Sequence, residues 1–390
     1  MSDFDIIVYG ATGFTGRLVA EYLAERYGAG SGVSWAMGGR SLTKLQEVRD
    51  GIGAPADTPL VTANADDPAA LRAMASRAKV VITTVGPYQL HGSALVAACA
   101  ATGTAYVDLC GEPAWMRHMI DAHQAAAKAS GARIVFSCGF DSIPFDLGVW
   151  TLQEAAKARF GRPAPRVKGR VRQMKGTFSG GTFASAKATM VAAAKDPSIL
   201  KLLVDPFALT PGFRGPEQPK GLIPEYDGAL NAWLAPFIMA PINTKTVHRT
   251  NYLLGHAYGT DFQYDEMIVT KPGDLGTTAV KMLAKANPFT RTKGPKPGEG
   301  PSRDERESGF FDILFVAEMP DREALRLVVK GDRDPGYGST SRMIAEAALC
   351  LTRDIEGEGG IWTPGALMGD ALVKRLQANA GLSFHLDNGR

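Results

Sequence analysis

The first residues whose types and spacing suggest chemistry are Gly10-Ala11-Thr12-Gly13-Phe14-Thr15-Gly16, directly after the apolar run Phe4–Tyr9. Three glycines at this spacing, between a strand and a helix, serve three ends. Gly10 permits a tight turn, Gly13 lets the backbone approach an anion, and Gly16 lets the helix pack closely on the strand. The first turn of that helix then presents unpaired N–H groups and a positive potential to a pyrophosphate.

A dinucleotide needs a second contact at the end of the next strand. An Asp or Glu there would take both ribose hydroxyls, but the chain reads Gly38-Gly39-Arg40-Ser41. The Arg40 guanidinium can pair instead with a 2′-phosphate, with Gly39, Ser41 and Lys44 beside it, which points to NADP, as NADPH, over NAD. The bland alternative is an exposed arginine capping a strand. In Asn64-Ala-Asp66-Asp67, Asp66 is placed to meet the adenine amino group, while Asp67 suits a helix N-cap equally well.

The nicotinamide end is expected at Thr83-Thr84-Val85-Gly86-Pro87-Tyr88, where Gly86 allows backbone contact and Pro87 stiffens the turn. Thr84, Val85, Gly86, Pro87 and Tyr88 therefore join the cofactor set, with Gly111 and Phe140 from the two following loops. Three residues at this edge are candidates for proton chemistry. The Tyr88 hydroxyl is a donor for a developing oxyanion, and His91, three residues on, is a relay. Asp141 is either a proton shuttle or part of an N-cap region, the structural role being favoured. His118 and His123 lie five apart on a helical segment, off the spacing of four that suits a metal, and no metal site is expected.

The elements that must hold these residues follow from hydrophobic periodicity. Short apolar runs at Phe4–Tyr9, Ser34–Met37, Pro59–Thr62, Val80–Val85, Ala105–Leu109 and Arg133–Ser137 alternate with helical segments, the pattern of parallel strands joined by crossovers. The fold class is α/β, a doubly wound parallel Rossmann sheet with a second α+β domain built on a mostly antiparallel sheet. The break Gly161-Arg-Pro-Ala-Pro165 separates the two. Residues 1–160, completed by 338–390, are expected to bind NADP, and 161–337 to form a substrate and dimerisation domain. Strands are expected at Arg166–Lys175, Asp261–Thr270, Phe310–Glu318 and Ala324–Lys330, and helices near Phe183–Ala194, Ser339–Leu351 and Thr363–Gln377. The closing strand, Leu382–Leu386, is expected to fold back on the nucleotide domain. Lys293–Pro301, rich in Gly and Pro, reads as an exposed loop.

Composition narrows the partners. With 43 basic and 40 acidic residues the net charge is +3, too small a field to gather nucleic acid. The cysteines Cys99, Cys110, Cys138 and Cys350 show no Cys-x-x-Cys spacing and read as free thiols in a reducing cytosol. A strand beginning at Phe4 leaves no room for a secretory leader, and no run of 18 apolar residues occurs; a cytoplasmic protein is expected, with peripheral contact at the inner face of the plasma membrane left open. The most apolar stretch outside the sheet, Ala232–Ile242, contains two prolines. It suits an acyl channel, a membrane contact, or packing against the mate in a homodimer.

Taken together, Gly10–Gly16, Gly-Gly-Arg-Ser at 38–41, Thr-Thr-Val-Gly-Pro-Tyr at 83–88, Asp-Leu-Cys-Gly-Glu at 108–112 and Cys-Gly-Phe-Asp-Ser-Ile-Pro at 138–144 resemble the saccharopine dehydrogenase-like oxidoreductases. Ser179-Gly-Gly-Thr182, Ala240-Pro-Ile-Asn243-Thr244, Gly298-Glu-Gly-Pro-Ser302 and Thr363–Asp370 extend the likeness over nearly the whole chain, closest to the trans-acting enoyl reductase branch. That resemblance implies NADPH-dependent reduction of enoyl thioesters on polyketide synthases that build phthiocerol-type lipids. The substrate would be a hydrophobic acyl or lipid-linked, carrier-bound molecule. Two rivals stand beside it: a non-catalytic nucleotide-binding module at lipid surfaces, and an imine or carbonyl reductase of small amino or keto acids.

Overall fold

Val, Ile and Ala runs buried on both faces form stable strands only inside a parallel sheet covered by helices. The computed structural model, which describes residues 2–28, 30–177, 180–273, 276, 278–280 and 298–387, places them so. The first part runs β1 (Phe4–Tyr9), α1 (Phe14–Arg26), β2 (Trp35–Gly39), α2 (Leu42–Gly51), β3 (Leu60–Thr62), α3 (Pro68–Ala75), β4 (Ala78–Thr83), α4 (Tyr88–His91), α5 (Ser93–Thr102), β5 (Ala105–Asp108), α6 (Pro113–Ser130), β6 (Arg133–Val135) and α7 (Ile143–Phe160). The remainder runs β7 (Arg166–Lys175), α8 (Gly180–Lys195), α9 (Pro197–Val204), β8 (Glu225–Asp227), β9 (Ala232–Pro236), α10 (Ala240–Leu253), β10 (Gln263–Val269), α11 (Arg303–Glu307), β11 (Phe310–Met319) and β12 (Arg322–Gly331). It closes with α12 (Thr340–Arg353), β13 (Gly360–Trp362), α13 (Pro364–Leu367), α14 (Gly369–Asn379) and β14 (Leu382–Asp387).

The first sheet has the order β13-β6-β5-β4-β1-β2-β3, all pairs parallel. Six strands were expected; the seventh, Gly360–Trp362, is too short to show a pattern and lies far along the chain. Strand order reverses between β1 and β4, so the loops after these two strands splay apart and leave a crevice for a ligand.

The second sheet, β14-β12-β11-β7-β10-β9-β8, is antiparallel except for the β7–β10 pair. Two features correct the sequence reading. The tail does not return as a unit to the nucleotide-binding part, because β14 hydrogen-bonds along β12 from Leu382 to Asp387 while α12 packs on α1 and β13 extends the first sheet. The apolar run Ala232–Ile242 holds a strand that was not expected: its first half is β9, a turn at Phe237–Met239 follows, and Pro241 sits in the first turn of α10, where a missing N–H costs nothing. Ala232, Leu234, Ala235, Phe237 and Met239 are buried in the core. Of the Gly- and Pro-rich stretch Lys293–Pro301, residues 293–297 lie outside the described residues.

Helix α7 joins the two sheets. It is capped at Gly161, a left-handed residue, and is lined with buried residues on several sides. An added Cβ at Gly148 would lie 2.5 Å from the Phe315 ring of β11, so helix and second sheet are in direct contact. Phe140, Phe145, Phe311 and Phe315 interlock at ring separations of 5.0–6.3 Å.

The tail is fastened to α1 by a buried carboxylate. Glu346 of α12 accepts hydrogen bonds from the hydroxyls of Tyr22 (2.6 Å) and Tyr27 (2.7 Å) and from Arg375 Nη1 of α14 (3.0 Å). Removing the acceptor strands buried donors, so Glu346→Ala is expected to lower unfolding free energy by about 3 kcal/mol. Urea titration should show a lower midpoint with an unchanged slope; a loss below about 1 kcal/mol would contradict this fastening role.

Candidate functional site

The Gly-rich turn has the geometry its residues require. Gly10 sits at φ +91°, a conformation that L side chains rarely adopt, and a Cβ at Gly16 would fall 2.1 Å from the Gly10 carbonyl oxygen. Ala11 is buried, Thr12 and Gly13 are exposed, and Gly13 begins α1 with no side chain capping the helix. The first-turn amides of a 13-residue helix are thus left to a ligand, which fits a pyrophosphate. Phe14 packs edge-on against Tyr337 at 5.2 Å beneath Arg306, while Thr15 is half-buried beside it.

Beyond β2, Gly39 is buried against Leu45 and Arg40 is exposed, with no hydrogen-bond or ion-pair partner among the described residues. Ser41 caps α2 by accepting from Lys44 N–H at 3.4 Å, which brings the exposed Lys44 beside Arg40. The group fits a 2′-phosphate. Asp66 is exposed next to it, whereas Asp67 is engaged as the N-cap of α3, accepting from Ala69 and Ala70 N–H.

On the other side of the switch point, Thr84 donates to the Gly10 carbonyl at 3.4 Å and Val85 N–H bonds to Thr83 Oγ1 at 3.3 Å. The Gly86–Pro87 peptide, which is cis, leads into α4. This loop is held by Glu112, a buried residue whose carboxylate accepts from Tyr88 N–H (2.9 Å) and Gln89 N–H (2.8 Å). Glu112 thus supplies the charge that the two open amides of a four-residue helix lack.

The loops after β4, β5 and β6 and helices α8 and α10 enclose a cavity of about 400 Å³. Its walls include Thr84, Gly86, Tyr88, Gly111, Asp141, Ser185, Met190, Ile238, Met239 and Ile242. Among the described residues that line it none is Arg, Lys or His. Ser185 Oγ would lie 3.5 Å from a Cβ at Gly86, which sets a hydroxyl of α8 beside the loop after β4.

The three candidates for proton chemistry fare differently. Tyr88 lines the cavity with its ring, but its hydroxyl donates to the Thr83 carbonyl (3.2 Å) and accepts from Leu109 N–H (3.1 Å), so it is spent on the scaffold and is not a free donor. His91 is exposed at the end of α4 and lines none of the cavity. Asp141 lines it and does not cap α7, whose N-cap Ser142 makes no side-chain cap bond. No partner meets the Asp141 carboxyl among the described residues, and burial pushes its pKa up to about 7. The capping role expected for Asp141 is therefore not seen, and its carboxyl faces the cavity. Phe140 also departs from expectation, since its ring packs into the core against Phe145 and Phe311 and only touches a smaller void of about 130 Å³ next to Asp141.

Fold and site together define a class, the NADP-dependent oxidoreductases of saccharopine dehydrogenase type. The saccharopine dehydrogenase NADP binding domain matches residues 6–135. Apo saccharopine dehydrogenase of Saccharomyces cerevisiae shares the fold over 98% of this chain and 99% of its own, with a TM-score of 0.54 at 11% identity. A Mycobacterium tuberculosis protein provisionally named a trans-acting enoyl reductase is 42% identical over 98% of this chain and 97% of its own length. The trans-acting enoyl reductase of Mycobacterium ulcerans is 37% identical, covering 96% of each chain. The chain belongs to the saccharopine dehydrogenase-like family that contains these trans-acting enoyl reductases.

Two residues placed at the site escaped the sequence reading. Glu112 stands inside a motif that drew attention for its position alone, and nothing local announces that its carboxylate reaches the amides of Tyr88 and Gln89. Ser185 lies in an unremarkable helical run, Ala184-Ser185-Ala186, with no spacing signal at all.

The free guanidinium at the end of β2 yields a prediction. Arg40→Ala should weaken NADPH ten- to a hundredfold while leaving NADH nearly unchanged, measured by titrating cofactor fluorescence. Equal losses for both cofactors would contradict a 2′-phosphate contact.

Proposed function

We propose that the protein is an NADPH-dependent reductase of an enoyl thioester on a hydrophobic, lipid-linked acyl group. The observation that carries this reading is the 400 Å³ cavity, which has apolar walls and a single unpartnered carboxyl, that of Asp141, at the edge of the sheet where the nicotinamide is expected. The names borne by its relatives support the reaction class. A dicarboxylate or amino acid substrate would need basic side chains in the wall, and the described lining has none.

NADPH, when bound, supplies the hydride for the β-carbon of the enoyl group. The chain supplies the rest. The glycine turns let backbone and cofactor approach, and Glu112 fixes the loop that must carry the nicotinamide. The hydroxyl of Ser185 is the donor set beside that loop for the thioester oxygen as it gains charge. The Asp141 carboxyl, kept neutral by desolvation at and below neutral pH, passes its proton to the α-carbon and is recharged from water.

The test is a titration of the purified protein with NADPH followed by addition of a long-chain trans-2-enoyl thioester. NADPH oxidation is expected, with kcat/KM falling as pH rises through about 7, because an acid with a raised pKa is lost only when it ionises. Asp141→Asn should lower the rate about a hundredfold or more and flatten the alkaline limb, while NADPH affinity is unchanged. An unaltered pH profile in this variant would remove Asp141 from the mechanism, and NADPH binding without oxidation of any enoyl thioester would overturn the reaction class.

A further inference from the structure

A second, larger cavity of about 780 Å³ lies between α9, α10 and the loop Arg214–Leu222. Leu203 and Pro241 line both this cavity and the one that holds Asp141, so these two residues form a wall shared by the two spaces. The same wall is fastened from within. The ammonium of Lys245, a residue only 3% exposed, donates to the carbonyls of Leu203 (2.9 Å) and Pro241 (2.7 Å).

The chemistry of the large cavity selects its ligand. Leu203, Val204, Phe207, Pro216, Pro219 and Leu222 supply an apolar lining. The acidic residues on its floor carry little free charge. Asp265 is neutralised by ion pairs with Arg166 and Arg170, and Glu266 accepts from Asn243 Nδ2 and Tyr264 Oη at 2.9 Å each, while burial favours its uncharged form. At the rim Val204 is 72% and Leu222 64% exposed, beside the exposed charged side chains of Arg214, Glu217 and Lys220, so the mouth pairs apolar surface with charge. Exposed apolar side chains at a cavity mouth are better covered when a chain crosses them. The smaller cavity, meanwhile, must accommodate both the nicotinamide ring and a reacting thioester, which leaves it short of space for a long chain.

We propose that the large cavity is a second compartment of the substrate site, which receives the distal part of a long aliphatic chain passing over the sill formed by Leu203 and Pro241. This rests on the enoyl-reductase reading for the reacting end only; the compartment itself is an aliphatic-chain site whatever chemistry occurs beside it. Thr244 is the residue that isolates it. It lines the large cavity and not the smaller one, and a tryptophan there would project into the compartment from the α10 side and narrow it.

The experiment is a binding titration of the full-length protein with cis-parinaric acid, a fluorescent long-chain fatty acid, without NADPH. Thr244→Trp is expected to weaken binding at least tenfold, with NADPH affinity and the oxidation supported by crotonyl-CoA, a short-chain enoyl thioester, as in the wild type. Leu222→Trp at the rim serves as the second variant if the first does not fold, with the same expected loss. Unchanged affinity for cis-parinaric acid in a variant that still binds NADPH normally would overturn the proposal, as would weak binding of the fatty acid to the wild type. Failure of the reaction class reads differently: no enoyl thioester would be reduced, yet the fatty acid would still bind and still be excluded by Thr244→Trp.

Discussion

At Gly16 helix α1 lies so near the turn after β1 that a single added carbon would fall 2.1 Å from the Gly10 carbonyl. Backbone touches backbone there, and most of the site depends on that contact. It aims the open first turn of α1 across the sheet edge, towards the crevice between β1 and β4. It also lets Thr84 reach Gly10, which couples the pyrophosphate turn to the loop expected to carry the nicotinamide. On the outer side of α1, Tyr22 and Tyr27 grip Glu346, so the helix whose N-terminus faces the cofactor site is also the one that anchors the closing segment of the chain.

A second theme is the handling of buried carboxyls. Asp108, Asp141 and Asp146 each have pKa values pushed up to about 7 by burial, but their surroundings differ. Asp108 accepts from Tyr106 Oη and from the amides of Cys110 and Ser137, and Asp146 accepts from Thr250 Oγ1 and Gly365 N–H, so both tie loops together. Asp141 has no such partners among the described residues and faces a cavity. Asp108 and Asp146 are fully buried among donors, whereas Asp141 is only partly buried and open to a cavity, the setting in which a raised pKa is available to a ligand.

Much of this was legible in the residues. The strand-to-helix glycine turn, the absence of an acid after β2 and the presence of Arg40 there are local features, set by backbone geometry and by the chemistry of one phosphate, and they stand in the structure where periodicity put them. The alternation of apolar runs also located the parallel strands to within a few residues. Long-range pairings were not legible. Strand β13 has three residues, β14 joins a sheet other than the one its neighbours suggest, and β9 is hidden in an apolar run that contains two prolines. For the same reason the fate of the Tyr88 hydroxyl was hidden: whether it is free depends on its partners, among them the Leu109 amide of the next loop, and a motif says nothing of that.

Across these observations runs one claim, that the crevice at the carboxyl ends of β4, β5 and β6 is where hydride reaches an acyl substrate. Its most direct test follows the hydride itself. NADPH carrying deuterium at both C4 positions is incubated with the protein and a long-chain trans-2-enoyl thioester, and the product is analysed by mass spectrometry and NMR. The account predicts one deuterium at the β-carbon and none at the α-carbon, whose hydrogen comes from solvent through the carboxyl of Asp141. Deuterium at the α-carbon, or a reduced product carrying no deuterium, would contradict it.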